Sequence, residues 1–443
     1  MANQFPGDFS LLEVNLFSHD GSQKIDIKPL VLEINIYESI FSSALQAELA
    51  IQDIGENIIS SLPIVGQERV ELYISSDNRY YRMRFSVYKI DGRTMKERNQ
   101  VYVMSCISIE GLRNENFRVC ERVDGVKSNE LIEDLLTRNN FSGKGLDADD
   151  TVFPFNMYVP NWRMFDLFRW LSIRSVPEYK KDSIGFLFYE TIDGYKFKSI
   201  DSLLDQTEYP RKGVYYTFFQ GNTRSVGTDE ADKHRIMNYA SPKVFNIYDD
   251  LRRGAFAHNA LYLDVNRATY RVFKTTADDF WDQSSHLEKT KPFVSGGDAQ
   301  MLSRGSRFIY RPSTISTWGA WDDEQSSREK DNIDEMNKNF EKAFYRYYFL
   351  EYSQLDIEVP GDLSNRAGNI INVSIPSPKK SENGGVEQDK RISGRYMVSA
   401  VKHTILNRSE LRTYITLSRD SYGGKSLPDI DQTGAQVNLD GTN

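Results

Sequence analysis

Apolar and polar residues alternate along much of the first quarter of the chain. Residues 9–17 are apolar and partly alternating; 47–51, 70–74, 81–90 and 101–109 alternate. A period of two carried by β-branched and aromatic residues marks a half-buried strand. Asp91-Gly92 opens a polar stretch to Gln100 that joins the last two strands as a hairpin. Between strands, 56–62 reads as a short helical turn closed by Pro63.

The pattern changes after residue 110. Ser128 is placed to cap a helix over 129–136 whose apolar residues share one face. Asn161 is placed to cap a second helix over 162–173, carrying Met164, Phe165, Leu167, Phe168, Trp170 and Leu171. Its apolar residues cover most faces, which puts it at the centre of its domain. Residues 184–189 and 195–200 read as a strand pair around Asp193-Gly194, completing an α+β module. Further on, 213–219 is a strand and 255–273 one or two long ones. The segment 275–325 holds three Trp and much Ser, Gly and Asp without clear period, so it reads as loop-rich. A helix is predicted over 327–348, with Ile333, Met336, Phe340, Ala343 and Phe344 as its stripe. From Leu355 to Leu417 the pattern is β again, and 423–443 is a polar, flexible tail.

The two β regions repeat one order. A strand at 45–53, a link at 65–67, a strand at 70–74 and hairpin arms at 81–90 and 101–109 are matched by 355–359, 367–369, 370–375, 396–405 and 411–417. Each first arm carries a Lys after an apolar residue, Tyr88-Lys89 and Val401-Lys402. The sharper reading of this match is a duplicated β-domain split by the intervening modules; two unrelated antiparallel units would also look alike.

Length and composition narrow the class. The chain has 443 residues, which suggests about three domains and more than one core. With 39% hydrophobic and 27% charged residues it is globular. The net charge of −8 excludes a general cationic affinity for nucleic acid or anionic lipid. No basic segment followed by an apolar run opens the chain, and no apolar window is long enough for a membrane span, so folding in a cytoplasm and no stable membrane insertion are expected.

Little in the sequence points to chemistry. Two cysteines and five histidines are too few for a disulfide framework or a Cys/His zinc site. Cys106 and Cys120 both read as reduced, buried small hydrophobes. Asp147, Asp149 and Asp150 lack the Gly and distal Glu of a calcium loop and read as a solvated loop. His19, His234, His258, His286 and His403 are dispersed, and no nucleophile elbow, P-loop or dinucleotide fingerprint is present. The expectation is no catalytic, cofactor-binding or metal-binding residue, no cofactor, and no enzymatic activity. The 25 Tyr and 25 Phe are better read as strand and contact surface. Phe165, Phe168 and Trp170 read as core, whereas Tyr345, Tyr347, Tyr348 and Tyr352 suit either internal packing or a subunit contact.

Several segments resemble one family. Tyr37-Glu-Ser-Ile-Phe41 followed by 45–53 and Leu62-Pro-Ile-Val-Gly66 is similar to the N-terminal domain of the baseplate central hub proteins of contractile-tailed phages, T-even-like and cyanophage-like. Residues 160–171 and 185–203 resemble their second domain. Gly368-Asn-Ile-Ile-Asn-Val373, Ser393-Gly-Arg-Tyr-Met-Val398 and His403 resemble their last β-domain. The resemblance spans most of 9–420, is weakest at 275–325 and stops before the tail. It implies an α+β multidomain fold: two similar tube-type antiparallel β-barrel domains plus inserted α+β modules. The corresponding division is 1–110, 111–210, 211–350, 351–422 (with strands from 211–275 as a further part) and a tail at 423–443. The resemblance further implies a homotrimer forming a pseudo-six-fold ring, with no catalytic residues. That ring joins a six-fold tail tube, or its initiator, to a trimeric tail spike, beside baseplate wedge proteins in the virion, with DNA as passing cargo. The ring wall is expected on strands near 45–53, 81–90, 355–359 and 396–405, with Leu49, Ile51, Phe85, Val87, Val398 and Val401 at inter-subunit positions. A neutral-to-negative lumen would let DNA slide, and the tail would dock on the spike as an extended arm. The rival classes are a secretion-system-type spike hub and a phage lytic enzyme.

Overall fold

The alternating segments of the N-terminal part pair into one curved antiparallel sheet. The computed structural model describes residues 7–54, 62, 64–76, 79–96, 99–218, 232–264, 268–292, 305, 307–312, 326–380, 386–421, 429–430 and 436–437. Its first strands are β1 (Phe9–Phe17), β2 (Lys24–Asp26), β3 (Val31–Ser39), β4 (Gln46–Ile54), β5 (Arg69–Ser76), β6 (Arg79–Lys96) and β7 (Asn99–Ser108). They lie in the order β3-β4-β7-β6-β5-β1-β2. Alternate residues of β4 and β5 are buried, so Leu49, Ile51, Val70 and Leu72 enter one core with Val14, Ile34, Phe85 and Met104. The helical turn expected at 56–62 falls outside the described residues, apart from Leu62, which is buried.

A second, mixed unit follows: α1 (Ile109–Asn116), β8 (Arg118–Val119), β9 (Arg122–Lys127), α2 (Ser128–Thr137), β10 (Leu146–Ala148), β11 (Pro154–Tyr158), β12 (Trp162–Arg163), α3 (Met164–Arg174), β13 (Phe186–Thr191), β14 (Gly194–Ser199) and α4 (Ile200–Leu204). As expected, α3 is central. Phe165 and Phe168 pack on Phe188, with 4.8 Å between the Phe168 and Phe188 rings, beside Tyr195.

Three local expectations are corrected. Ser128 is the first residue of α2 rather than its cap; its hydroxyl is buried and accepts from the Ser175 hydroxyl at 2.8 Å. Asn161 adopts a left-handed φ of 55° ahead of β12, and α3 starts later. Its Phe165 N–H is capped from a distance by the Asn114 side-chain Oδ1 at 2.8 Å. Asp147 and Asp150 are exposed as expected, but Asp147 lies on β10 and pairs with Lys196 and Lys198, and Asp149 is drawn in by Lys198 and the Ser199 N–H that precedes α4.

The third stretch contains β15 (Tyr215–Phe218), β16 (Arg235–Ile236), β17 (Asn238–Lys243), α5 (Ile247–Arg253), β18 (Ala257–Asp264), β19 (Thr269–Thr276), α6 (Ala277–Trp281), β20 (Phe308–Pro312) and α7 (Ser326–Leu350). β18 and β19 are the two strands of the long β segment, and β20 joins them in a three-stranded sheet against α7. The last stretch has β21 (Ser353–Pro360), β22 (Ile370–Ser374), β23 (Pro376–Lys380), β24 (Val386–Gln388), β25 (Gly394–Leu406) and β26 (Glu410–Arg419). Of the expected flexible tail only 429–430 and 436–437 are described, as two short paired strands.

The C-terminal strands run β17-β21-β26-β25-β22-β15-β16. Only Met237 separates β16 from β17, so the hydrogen-bonded path returns to the segment where it began and the strands form a closed ring. Pairing of β15 with β16 removes the edge at that point, while β17 is paired on one side only, with β21, among the described residues. The core inside contains Leu355, Ile357, Ile371, Val373, Val398, Val401, Ile415 and Leu417.

Candidate interaction surface

β25 is long enough to serve two partners along one edge. Residues 394–397 pair with β22 and 400–406 pair with β3, while the other edge holds β26. A register shift at Ser399 separates the two halves. Such a bulge bends and twists a strand, and here it turns β25 from its own unit onto the N-terminal one. The two β units thereby become one 14-stranded sheet.

The units also repeat one spatial order. β3-β4-β7-β6-β5-β1 corresponds to β17-β21-β26-β25-β22-β15. Four successive pairings agree in being antiparallel; the last differs, β1–β5 antiparallel and β15–β22 parallel. Both hairpins carry a bulge in the first arm, at Tyr88 and at Ser399. Aligning bulge on bulge sets Lys89 against Ala400, so the Lys match seen in the sequence is two residues out of register.

One face of this sheet is core; the other is polar and concave. A groove of about 570 Å³ lies on it, lined by Tyr37, Asp356, Glu358, Lys402, Tyr414 and Ala240 among others. Strand alternation puts Glu33, Glu48, Asp91, Asp356, Glu358 and Glu410 on this face with Lys89, Lys243, Lys402 and Arg412. The bases are engaged locally. Lys89 meets Asp91 at 2.6 Å, Lys243 donates to the Glu351 carbonyl at 2.8 Å, and Arg412 meets Glu358 at 2.9 Å. Lys402 lies 5.7 Å from the rings of both Tyr37 and Tyr414. The Tyr37 hydroxyl donates to Glu48 at 2.8 Å; partial burial and then this carboxylate push its ionisation up. Around the groove acids outnumber bases and the bases are engaged in place, while towards β5 the same face also carries Arg69, Arg82 and Arg84, of which Arg82 and Arg84 pair with Glu71.

Behind the β3–β25 seam sits a buried charge cluster. The Glu38 carboxylate has no exposed surface and accepts the Ile192 N–H at 2.8 Å and the Ala367 N–H at 3.2 Å. The Arg366 guanidinium lies 3.9 Å away and is hydrogen-bonded to Asp193 at 2.7 Å. Burial holds the Glu38 carboxyl above its ordinary value, with Arg366 opposing. For Asp193, burial acts upward, and the Arg366 bond and charge overcome it. His403 on β25 is fully buried beside Thr413 Oγ1 at 3.1 Å; burial, and secondarily Arg366, lowers it to about 3. One cluster therefore ties β3, the β13–β14 turn and the loop before β22.

Other buried networks are fasteners of the same type. Glu190 accepts the Leu45 N–H at 2.8 Å and pairs with Lys144, joining β4 to the mixed unit. His258, Glu341, Tyr262 and Arg311 form a constellation that could pass for an active site. His258 and Glu341 have no exposed side-chain surface, and their 2.6 Å contact locks α7 onto β18. The Tyr345 hydroxyl donates to the Thr275 carbonyl at 3.0 Å and lies 2.9 Å from His258 Nδ1, and Tyr347 donates to the Phe186 carbonyl, so both pack internally, as does Tyr352. Tyr348 is partly buried and bonds Asp250 at 2.6 Å.

Leu49, Ile51, Phe85, Val87, Val398 and Val401 have their side chains in the cores of their own chain, none more than 2% exposed. Anything these positions give to a neighbour goes through backbone. The polar residues between them, Glu48, Asp356 and Lys402, occupy the open face, and alternation itself was the signal that distinguished them. Cys106 is buried as expected, its thiol pushed up to about 12 by burial, but Cys120 is exposed, with its sulfur 3.2 Å from the Tyr158 hydroxyl. Among the described residues, no group of three or more His, Cys, Asp and Glu side chains could hold a metal ion, and no helix is long and apolar enough to cross a membrane.

No family model matches the chain, and no curated protein is similar to it in sequence. Solved structures are similar in fold. The tail protein from Neisseria meningitidis MC58 aligns over 94% of this chain and 98% of its own, with a TM-score of 0.51 at 11% identity. The 43 kDa tail protein of prophage MuSo2 from Shewanella oneidensis aligns over 94% of this chain and all of its own, with a TM-score of 0.50 at 10% identity. At such identities the likeness establishes a shared fold.

Proposed function

We propose that this chain is the structural hub of a phage tail baseplate. Three copies form a pseudo-six-fold ring of tube-type β-barrels that joins the six-fold tail tube to the trimeric central spike and leaves a channel for DNA. The observation that carries this reading is the repeated strand order within one chain: three chains then supply six like units. The shared fold with two tail proteins supports it. In this reading the polar concave face lines the channel. Its acids repel phosphate and its cations are already engaged, so DNA passes without being held. The chain acts in the virion beside the spike, tube and wedge proteins, and it has no catalytic role.

Mass photometry and imaging of the purified protein test the reading. The expected result is a trimer with a three-fold outline and six similar lobes. A monomer that persists at high concentration overturns it. Salt-sensitive DNA binding by the wild-type protein would contradict the lining; Glu48→Lys, Asp356→Lys and Glu358→Lys together should create such binding.

A further inference from the structure

Within one chain the two β units meet through β25 and β3, with Lys402 opposite Tyr37 and Thr404 opposite Asn35. Each of these strands has a counterpart in the other unit: β6 corresponds to β25, and β17 to β3. Both counterparts have an open edge at the corresponding place. Beyond Val87, whose N–H donates to the Glu68 carbonyl at 2.8 Å, β6 is accompanied only by β7, and β17 only by β21, among the described residues. Lys89, Asp91 and Thr94 on β6 are exposed, as are Asn238 and Ala240 on β17.

The registers carry across. Counted from the shared bulge, Asp91 takes the place of Lys402 and Thr94 that of Thr404; β6 has Gly92 and Arg93 between them where β25 has His403 alone. On the other strand Lys243 takes the place of Tyr37 and Ala240 that of Asn35; β17 has Ser241 and Pro242 between them where β3 has Ile36 alone. Each counterpart thus holds one additional residue, and the two additions fall opposite each other. A pair patterned on β25–β3 stays in register on both sides of them. It sets the Asp91 carboxylate against the Lys243 ammonium, and Pro242, which has no N–H to donate, falls where the ladder is already interrupted. β6 and β17 stand seven strand positions apart in the sheet path and do not pair with each other within the chain, which leaves a second molecule to supply the partner.

We propose that residues 89–94 of β6 in one copy and residues 238–243 of β17 in a second copy of this chain form an antiparallel pair, with Asp91 opposite Lys243 and Thr94 opposite Ala240. The proposal rests on the ring reading and names the seam by which the ring closes.

The test uses the full chain with Cys120→Ser and a Thr94→Cys, Ala240→Cys pair. Cross-strand neighbours lie about 4.5–5.5 Å apart between Cα atoms, within disulfide reach. Mild oxidation is expected to give covalent ladders of two and three chains that collapse on reduction. A mixture of the two single-cysteine variants should give dimers only. Asp91→Lys or Lys243→Asp alone should weaken assembly about two- to fivefold per seam, with recovery when both are combined. A trimer by mass photometry that neither cross-links here nor shows charge rescue overturns the seam and leaves the ring reading intact. A 94–240 disulfide confined to single chains also overturns the seam. A monomer at every concentration overturns both.

Discussion

Replacing Arg366 by Met should leave the Glu38 carboxylate buried without its cation. Glu38 has no exposed surface and Arg366 very little, and they are separated by 3.9 Å. At an effective dielectric of about 20, a charge pair at that distance is worth about 4 kcal/mol, in line with the roughly 3–5 kcal/mol lost when one partner of a buried pair is removed. The carbonyl oxygens of Leu363 and Asn365 lose donors as well, whereas Asp193, whose side chain is 57% exposed, is left to water. Urea unfolding followed by circular dichroism should therefore show a deficit of about 4 kcal/mol near pH 8. The pH dependence separates charge from packing. Glu38 is already raised in the folded protein and rises further without Arg366, so the folded state binds its proton first. The deficit should be smallest where Glu38 is protonated in both folded proteins, grow between the folded value of the wild type and the higher one of the variant, and stay constant above it. In a double-mutant cycle, Glu38→Gln with Arg366→Met should recover at least about 2 kcal/mol. A deficit below about 1 kcal/mol, an equal deficit at pH 5 and pH 8, or no coupling in the cycle would refute the reasoning.

Three further outcomes can be checked directly. His403, at about 3 in the folded protein, is neutral when buried and protonates near 6.5 when unfolded, so wild-type stability should fall by about 1.4 kcal/mol per pH unit below that point. His403→Gln removes this slope, and comparison at pH 8 and pH 4.5 should differ by about 2–3 kcal/mol; parallel profiles would refute it. Gly368→Ala meets both a φ of +91° and the Tyr189 hydroxyl, whereas Gly66, at φ +85°, faces open space. Thermal unfolding should show a loss of about 2–4 kcal/mol for the first and about 1 kcal/mol for the second. Thiol titration with a chromogenic disulfide should find Cys120 reactive and Cys106 protected until urea unfolds the chain; two equally fast thiols would contradict the burial.

The strands of both β units were legible because each buries one face, and alternation records that directly. The same signal fixes which residues are core without saying which strand edge meets a neighbour. Apolar positions such as Leu49 and Val398 were therefore natural choices for a wall, and their side chains proved to be interior. β17 left no such trace: Asn238-Tyr-Ala-Ser-Pro-Lys243 has little burial on either face and contains a proline. Helix starts were harder still. The Asn161 side chain has the chemistry of a cap, but its backbone turns left-handed and Asn114 supplies the bond instead. Cap chemistry is local, whereas the choice among competing caps is made by tertiary packing.

The irregularities of β6 and β17 bear on a problem that any ring-forming β protein faces before it assembles. An open edge pairs with whatever strand it meets, and a regular one does so indiscriminately. Gly92 at φ +64° and the residue added beside it interrupt the β6 ladder, and Pro242 with its added residue interrupts β17. Against a regular strand each edge could make only a short run of bonds before losing register. Against each other the interruptions coincide, and pairing continues on both sides. Specificity then comes from what the edges refuse, with the Asp91–Lys243 contact as a smaller attractive term. Deleting one added residue from β6 alone should accordingly impair assembly more than reversing a charge does, and deleting the matching residue from β17 as well should restore it, with mass photometry as the readout. Equal assembly by all four proteins would mean that the interruptions do not set the register.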